Sequence, residues 1–143
     1  MKLDTIFLYE LASKELDKHR YEKALKFYDK ILKINRKEFD ALVGKGDIFA
    51  TLGEYKKAIT QYKKALRINS SDPDLLYNIA TTYYDMDQFE QSIAHYNKVL
   101  HIVPNYIDAL CNRGNALVGL GRHKEAIRMY KKALKKNPND VKF

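Results

Sequence analysis

Few side chains in this sequence are of types and spacings that could do chemistry. Cys111 is the only cysteine, so it cannot close an internal disulfide. As a nucleophile it would need a base placed beside it, and no histidine is positioned for that. His95 and His101 lie on one predicted helix, about 240° apart around it, so they cannot share a metal ion. Gly44-Lys45-Gly46 resembles a phosphate loop only superficially, since the full glycine spacing and the following Ser or Thr are missing. The sequence therefore reads as non-enzymatic, with no metal and no cofactor. What stands out instead is a pair of amides, Asn78 and Asn112, at equivalent places in a repeating pattern. A side-chain amide both donates to and accepts from a peptide main chain. Tyr9, Tyr77 and Tyr84 are the aromatic rings that a partner could reach.

The composition is that of an ordinary soluble globular protein. The chain has 143 residues, 45% hydrophobic and 31% charged, enough to bury a core without disulfides or metal. Three Pro and six Gly are too few for a loop-rich fold. Lys and Arg outnumber Asp and Glu by 26 to 18, a net charge of +8. That permits acidic protein, nucleic acid or membrane-surface partners and selects none of them. No basic start followed by a long apolar run is present, and no stretch approaches the roughly 20 apolar residues that span a bilayer. A cytoplasmic address, with no membrane partner, is the expectation.

The elements that must position these residues come from self-similarity. Gly46 through Tyr55 aligns with Gly114 through His123, and copies fall midway between them and one step before. Four units tile the chain as 5–38, 39–72, 73–106 and 107–140. Tyr28, Tyr62, Tyr96 and Tyr130 form one column. Leu25, Ile59, Ile93 and Ile127 stand three before it, and Leu32, Leu66, Leu100 and Leu134 four after it, all on one helical stripe. Small residues fill two columns, Ala12/Gly46/Ala80/Gly114 and Ala24/Ala58/Ser92/Ala126, where helix backbones should approach closely. The column Tyr21/Tyr55/Phe89/His123 is expected to pack beyond the turn. Gly53 and Gly121 suit left-handed turn positions, with His19 and Asp87 as less comfortable substitutes. Pro104 and Pro138 stop the second helix, while Arg36 and Ser70 do so less firmly.

Each unit is thus a helix, a short turn and a second helix, and one hairpin cannot bury its apolar face alone. The columns resemble those of the tetratricopeptide repeat (TPR) family, as in Leu52-Gly53-x-Tyr55-x-x-Ala58-Ile59-x-x-Tyr62-x-x-Ala65-Leu66. The resemblance covers residues 5–140 and implies an all-α, right-handed α-solenoid of helix-turn-helix hairpins, here a single domain over 1–143. Glu15 departs from the pattern where Phe49, Tyr83 and Leu117 stand, as a polar terminal cap would. At the other end Lys136 replaces the Ile34/Ile68/Ile102 column, which is expected to pack on a following helix. Val141-Lys142-Phe143 falls where a further helix would begin, so 141–143 reads as the start of a truncated or missing capping helix. The fourth unit's face is expected to be covered by further chain or by another copy of the protein.

The resemblance also sorts charge by surface, because TPR first helices line a concave groove. The groove columns hold Glu10, Asp17, Asp40, Asp47, Asp74, Asp85 and Asp108 and no Lys or Arg, while the bases gather on the second helices and Cys111 faces the groove. Family members that clamp the acidic tails of heat-shock chaperones use Lys, Arg and Asn at fixed groove columns. Only Asn78 matches here, so a chaperone C-terminal tail is not an expected partner. Asn78 and Asn112 are similar to the asparagine ladder with which some TPR arrays grip a peptide main chain, and Gly44 and Glu10 interrupt it. The expected peptide-binding groove comprises Tyr9, Ser13, Asp47, Tyr77, Asn78, Thr81, Tyr84, Asn112 and Asn115. It would take an extended peptide or partner helix, neutral to basic. The alternatives are a self-associating module, with a homo-oligomer formed through the fourth-repeat end, or a basic convex face for nucleic acid or an anionic surface. Nucleic acid is the less expected partner, since the Lys-rich helices are also explained as solvated faces whose stems cover apolar surface.

Overall fold

The structure, a computed structural model, describes residues 2–139. Eight helices occupy them in order: α1 (Leu3–Asp17), α2 (Tyr21–Ile34), α3 (Phe39–Thr51), α4 (Tyr55–Ile68), α5 (Pro73–Asp85), α6 (Phe89–Ile102), α7 (Ile107–Gly119) and α8 (His123–Lys136). No strand occurs among the described residues. The chain divides into two compact units, Met1–Ser70 and Ser71–Phe143, each of two hairpins. In the first unit α1 packs on α2, α2 on α3 and α3 on α4; in the second α5 packs on α6, α6 on α7 and α7 on α8.

The same local chemistry closes every hairpin. His19, Gly53, Asp87 and Gly121 all have positive φ, between 56° and 77°. In each turn the next residue's N–H returns to the carbonyl five back: Arg20 to Glu15, Glu54 to Phe49, Gln88 to Tyr83 and Arg122 to Leu117. A shorter bond from the left-handed residue itself completes this double closure of the helix end. Histidine and aspartate therefore hold the conformation that glycine supplies in the other two turns. The second helices end at one column whether or not proline follows: α2 stops at Ile34 and α4 at Ile68, as α6 stops at Ile102 ahead of Pro104. Proline is not needed for that stop. Asp72 caps α5, its Oδ1 accepting the Leu75 N–H at 2.9 Å.

The small columns are buried, and two of their glycines have a steric cause. A Cβ on Gly46 would lie 2.6 Å from Cδ1 of Tyr62, and one on Gly114 2.6 Å from Cε1 of Tyr130. Tyr62 and Tyr96 are all but fully buried, Tyr28 is buried and Tyr130 half-buried. Three expectations change. Ile34, Ile68 and Ile102 remain exposed rather than packing on a following helix. His123 is exposed, unlike the half-buried Tyr21, Tyr55 and Phe89 of its column, so it does not fill the space beyond the turn. Cys111 is buried, in a cluster with Leu110 and Ala133, and does not face a groove. Residues 141–143, where a capping helix was expected to start, lie outside the described residues.

Candidate functional site

Six of the nine expected site residues belong to the second unit, on α5 and α7, which touch each other there. Four of them, Tyr77, Thr81, Asn112 and Asn115, belong to one polar chain. Tyr130 of α8 donates its hydroxyl to Asn115 Oδ1 at 2.5 Å. Asn115 Nδ2 donates to Asn112 Oδ1 at 3.4 Å. Asn112 Nδ2 in turn donates to the Tyr77 hydroxyl at 2.7 Å, joining α7 to α5. Thr81 lies 2.8 Å from the Tyr96 hydroxyl and also bonds Tyr77. Tyr84 stands apart from this chain, edge-on to Phe89 at 5.5 Å between ring centres. Asn78 is half-buried one turn before Thr82, whose hydroxyl donates to its carbonyl at 2.8 Å.

One spacing explains much of this arrangement. A column tyrosine on a second helix reaches the residue fifteen positions earlier on its own first helix: Tyr62 donates to Asp47 at 2.6 Å, Tyr96 meets Thr81, and Tyr130 meets Asn115. Asp47, Thr81 and Asn115 are among the expected groove contacts. In the structure each also anchors the end of a buried or half-buried ring, which satisfies a hydroxyl that would otherwise be costly to bury. In the first unit Tyr9 donates to Glu38 Oε2 at 3.3 Å and meets Tyr28 edge-on at 6.2 Å. Ser13 is exposed. Gly44, which interrupts the asparagine column, has a packing cause: a Cβ there would lie 2.6 Å from Cζ of Tyr28.

Sequence reasoning missed Tyr106. Its ring stacks on Tyr77 at 5.2 Å and 22°, and its hydroxyl donates to Asp74 Oδ1 at 2.8 Å. The available signal was again a spacing, since Tyr106 follows Tyr77 at the interval by which Glu38 follows Tyr9. The assignment of bases to second helices also needs correction. Lys45 on α3 pairs with Asp29 at 2.7 Å, and Arg113 on α7 donates to Asn97 at 2.5 Å, so first helices carry cations at the contact with the preceding hairpin. Arg20 and Arg122 stand at the caps preceding α2 and α8.

The electrostatics favour protonated tyrosine hydroxyls. Burial raises the pKa values of Tyr77 and Tyr96, and Asp108 adds to the rise at Tyr77. Burial first and the Asp74 bond second raise Tyr106. Burial chiefly, with Glu38 adding, raises Tyr9. These hydroxyls therefore remain hydrogen-bond donors at any physiological pH. All seven acids assigned to the first-helix columns are exposed. Asp85 has its pKa raised by desolvation of its carboxyl. Among the described residues no cluster of His, Cys, Asp or Glu could hold a metal ion, and no helix is long and apolar enough to cross a membrane.

Hairpins of this kind, stacked through buried tyrosines and small residues, define a helical-repeat protein. Profiles described as TPR repeat match residues 46–87 and 81–121, and one described as Tetratricopeptide repeat matches 107–140. The chain belongs to the tetratricopeptide repeat family, and its fold is the all-α solenoid class expected from the sequence. The solved structure of MamA 41-end from Desulfovibrio magneticus RS-1 is similar over 94% of this chain and 76% of that one, at TM-score 0.86 and 22% identity. A tetratricopeptide repeat protein from Parabacteroides merdae ATCC 43184 aligns over 98% of this chain and 56% of that one, at TM-score 0.89 and 22% identity. PilF of Pseudomonas aeruginosa aligns over 96% and 63%, at TM-score 0.84 and 22% identity. No curated protein matches the chain. Membership makes it a protein–protein interaction scaffold, of a family whose members are typically non-catalytic.

Proposed function

We propose that the α5–α7 face of the second unit binds an extended, neutral to basic peptide. The observation that carries this reading is the Asn112–Tyr77 bond within a row of polar side chains flanked by the exposed Asp74, Asp85 and Asp108. Asn112 spends one amide proton on Tyr77 and one lone pair on Asn115. A second amide proton and a second lone pair are left over, which is the pair of contacts a peptide unit offers. The stacked Tyr77 and Tyr106 give a flat, preorganised apolar contact. Exposed carboxylates attract cationic side chains and repel acidic ones. Tyr9, Ser13 and Asp47 are proposed to serve the same role in the first unit. Because the site holds no nucleophile–base pair, the reading is one of capture without turnover.

The test is selection of peptides from a display library on the full chain, followed by calorimetry. Among the selected sequences, neutral or basic ones should bind at Asn112, and Asn112→Ala should weaken them by about 1 kcal/mol, roughly fivefold, with the helical circular dichroism unchanged. Unchanged affinity in a folded variant would remove Asn112 from the site, and acidic peptides whose affinity falls with Asn112→Ala would overturn the charge reading.

A second reading, self-association through the fourth repeat, has its own observation. Ile127 and Leu134 on α8 are 50% and 40% exposed, whereas Ile59 and Ile93, in the column of Ile127, are each 8% exposed. We propose that another copy of the chain can cover this face.

A further inference from the structure

The second-helix side of the first unit holds a groove of about 690 Å³ that the reading above leaves unused. Its floor is aliphatic, built from Leu32 of α2, Leu42 of α3 and Ile68 at the end of α4. Leu42 is buried, and Ile68 lies 43% exposed. Its rim is cationic: Arg36 and Lys37 from the loop after α2 on one side, Lys64 and Arg67 of α4 on the other. All four are exposed, and none enters an ion pair among the described residues. The acid in the lining, Asp29, is held by Lys45 at 2.7 Å and offers the rim no counter-charge.

We propose that this groove docks an acidic protein segment, with carboxylates on the rim cations and an aliphatic side chain seated against Ile68 and Leu32. Charge complementarity selects the sign of the occupant. The floor selects its class, because it presents no aromatic ring on which a nucleobase could stack and does present aliphatic surface that gains by being covered. The second unit supplies an internal comparison. At the matching places, 68 residues on, Pro104 and Asn105 replace Arg36 and Lys37, and Lys136 replaces Ile68. The loop half of the rim and the apolar end of the floor are therefore features of the first unit, not of the repeat in general. The groove is distinct in side chains and in charge from the α5–α7 face, so the protein would hold two partners of opposite character.

Fluorescence anisotropy of the full chain with a labelled Glu-rich peptide carrying two leucines tests this at physiological salt. Two comparison probes are the same peptide with serines for leucines and a single-stranded oligonucleotide of equal charge. Arg36→Glu with Arg67→Glu should cost about tenfold or more in affinity for the leucine peptide. Lys132→Glu with Lys135→Glu, an equal charge change in the second unit, should leave it within about twofold. Ile68→Ser should weaken the leucine peptide and not the serine one. All the substituted side chains are exposed, so circular dichroism should report an intact fold. The proposal is overturned if the leucine peptide does not bind or if the two double variants lose affinity equally. Serine-peptide binding as tight as that of the leucine peptide, or tighter binding of the oligonucleotide, would overturn it too, the last marking a nucleic-acid surface.

Discussion

At the scale of single residues, the column tyrosines govern what their neighbours can be. Gly46 faces the ring of Tyr62, which is 1% exposed and has nowhere to move. Alanine would gain up to about 1 kcal/mol of helix propensity and lose about 1–3 kcal/mol to overpacking. Gly46→Ala should therefore destabilise by roughly 1–2 kcal/mol in chemical denaturation. Asp85 offers a prediction in pH. Its carboxyl is harder to ionise in the folded chain than in the unfolded one, because desolvation penalises the charge. As pH rises, the unfolded chain releases this proton first, so stability falls between the unfolded and folded pKa values and Asp85→Asn should remove that part of the slope. Binding of a basic peptide has the opposite sign. It needs the ionised carboxylate, so affinity should fall on acidification, starting above the ordinary Asp value, and Asp85→Asn should flatten that fall in calorimetry.

At the scale of helices and turns, the double closure after every first helix is made four times with three residue types. Each non-glycine residue there carries strain of up to about 1–2 kcal/mol, less for aspartate. Asp87→Gly should therefore raise thermal stability by about 0.5–1 kcal/mol, while Gly53→Ala, whose Cβ would meet nothing within 4 Å, should lower it by about 1 kcal/mol on backbone grounds alone. This level was the most legible in the sequence. Period, turn glycines and the small columns are local; the period and the small columns recur four times and the glycines twice, so chance agreement is removed. What stayed hidden depends on cross-helix reach. That Asp47, Thr81 and Asn115 would bond tyrosines fifteen residues on, or that Tyr106 would stack on Tyr77, follows from how hairpins pack, which composition does not show. Cys111 was misplaced for a related reason: its column was assigned by family analogy, and the local packing with Ala133 and Leu110 turned it inward.

At the scale of the whole molecule, the net charge of +8 is an average over surfaces that differ in sign. The exposed acids of the first-helix columns and the bare cations of the second-helix groove explain why the total alone selected no partner. The exposed Ile127 and Leu134 likewise bear on assembly. Ile127→Glu should reduce any concentration-dependent association seen in sedimentation velocity while leaving hairpin helicity intact. A monomer at every concentration in the unsubstituted protein would dismiss the self-association reading.

The polar clasps between successive hairpins make adjacent repeats unlike one another. Asp29 answers Lys45, and Asn97 answers Arg113, but the same column carries Lys63 and Lys131 in the alternate hairpins. An engineer who lengthened the protein by duplicating its second hairpin would set an ammonium against an ammonium at the new junction. The smallest cassette that reproduces the alternation of clasped and unclasped junctions is the pair, α1 to α4 or α5 to α8, so this chain's modular grain is twice as coarse as its 34-residue rhythm advertises.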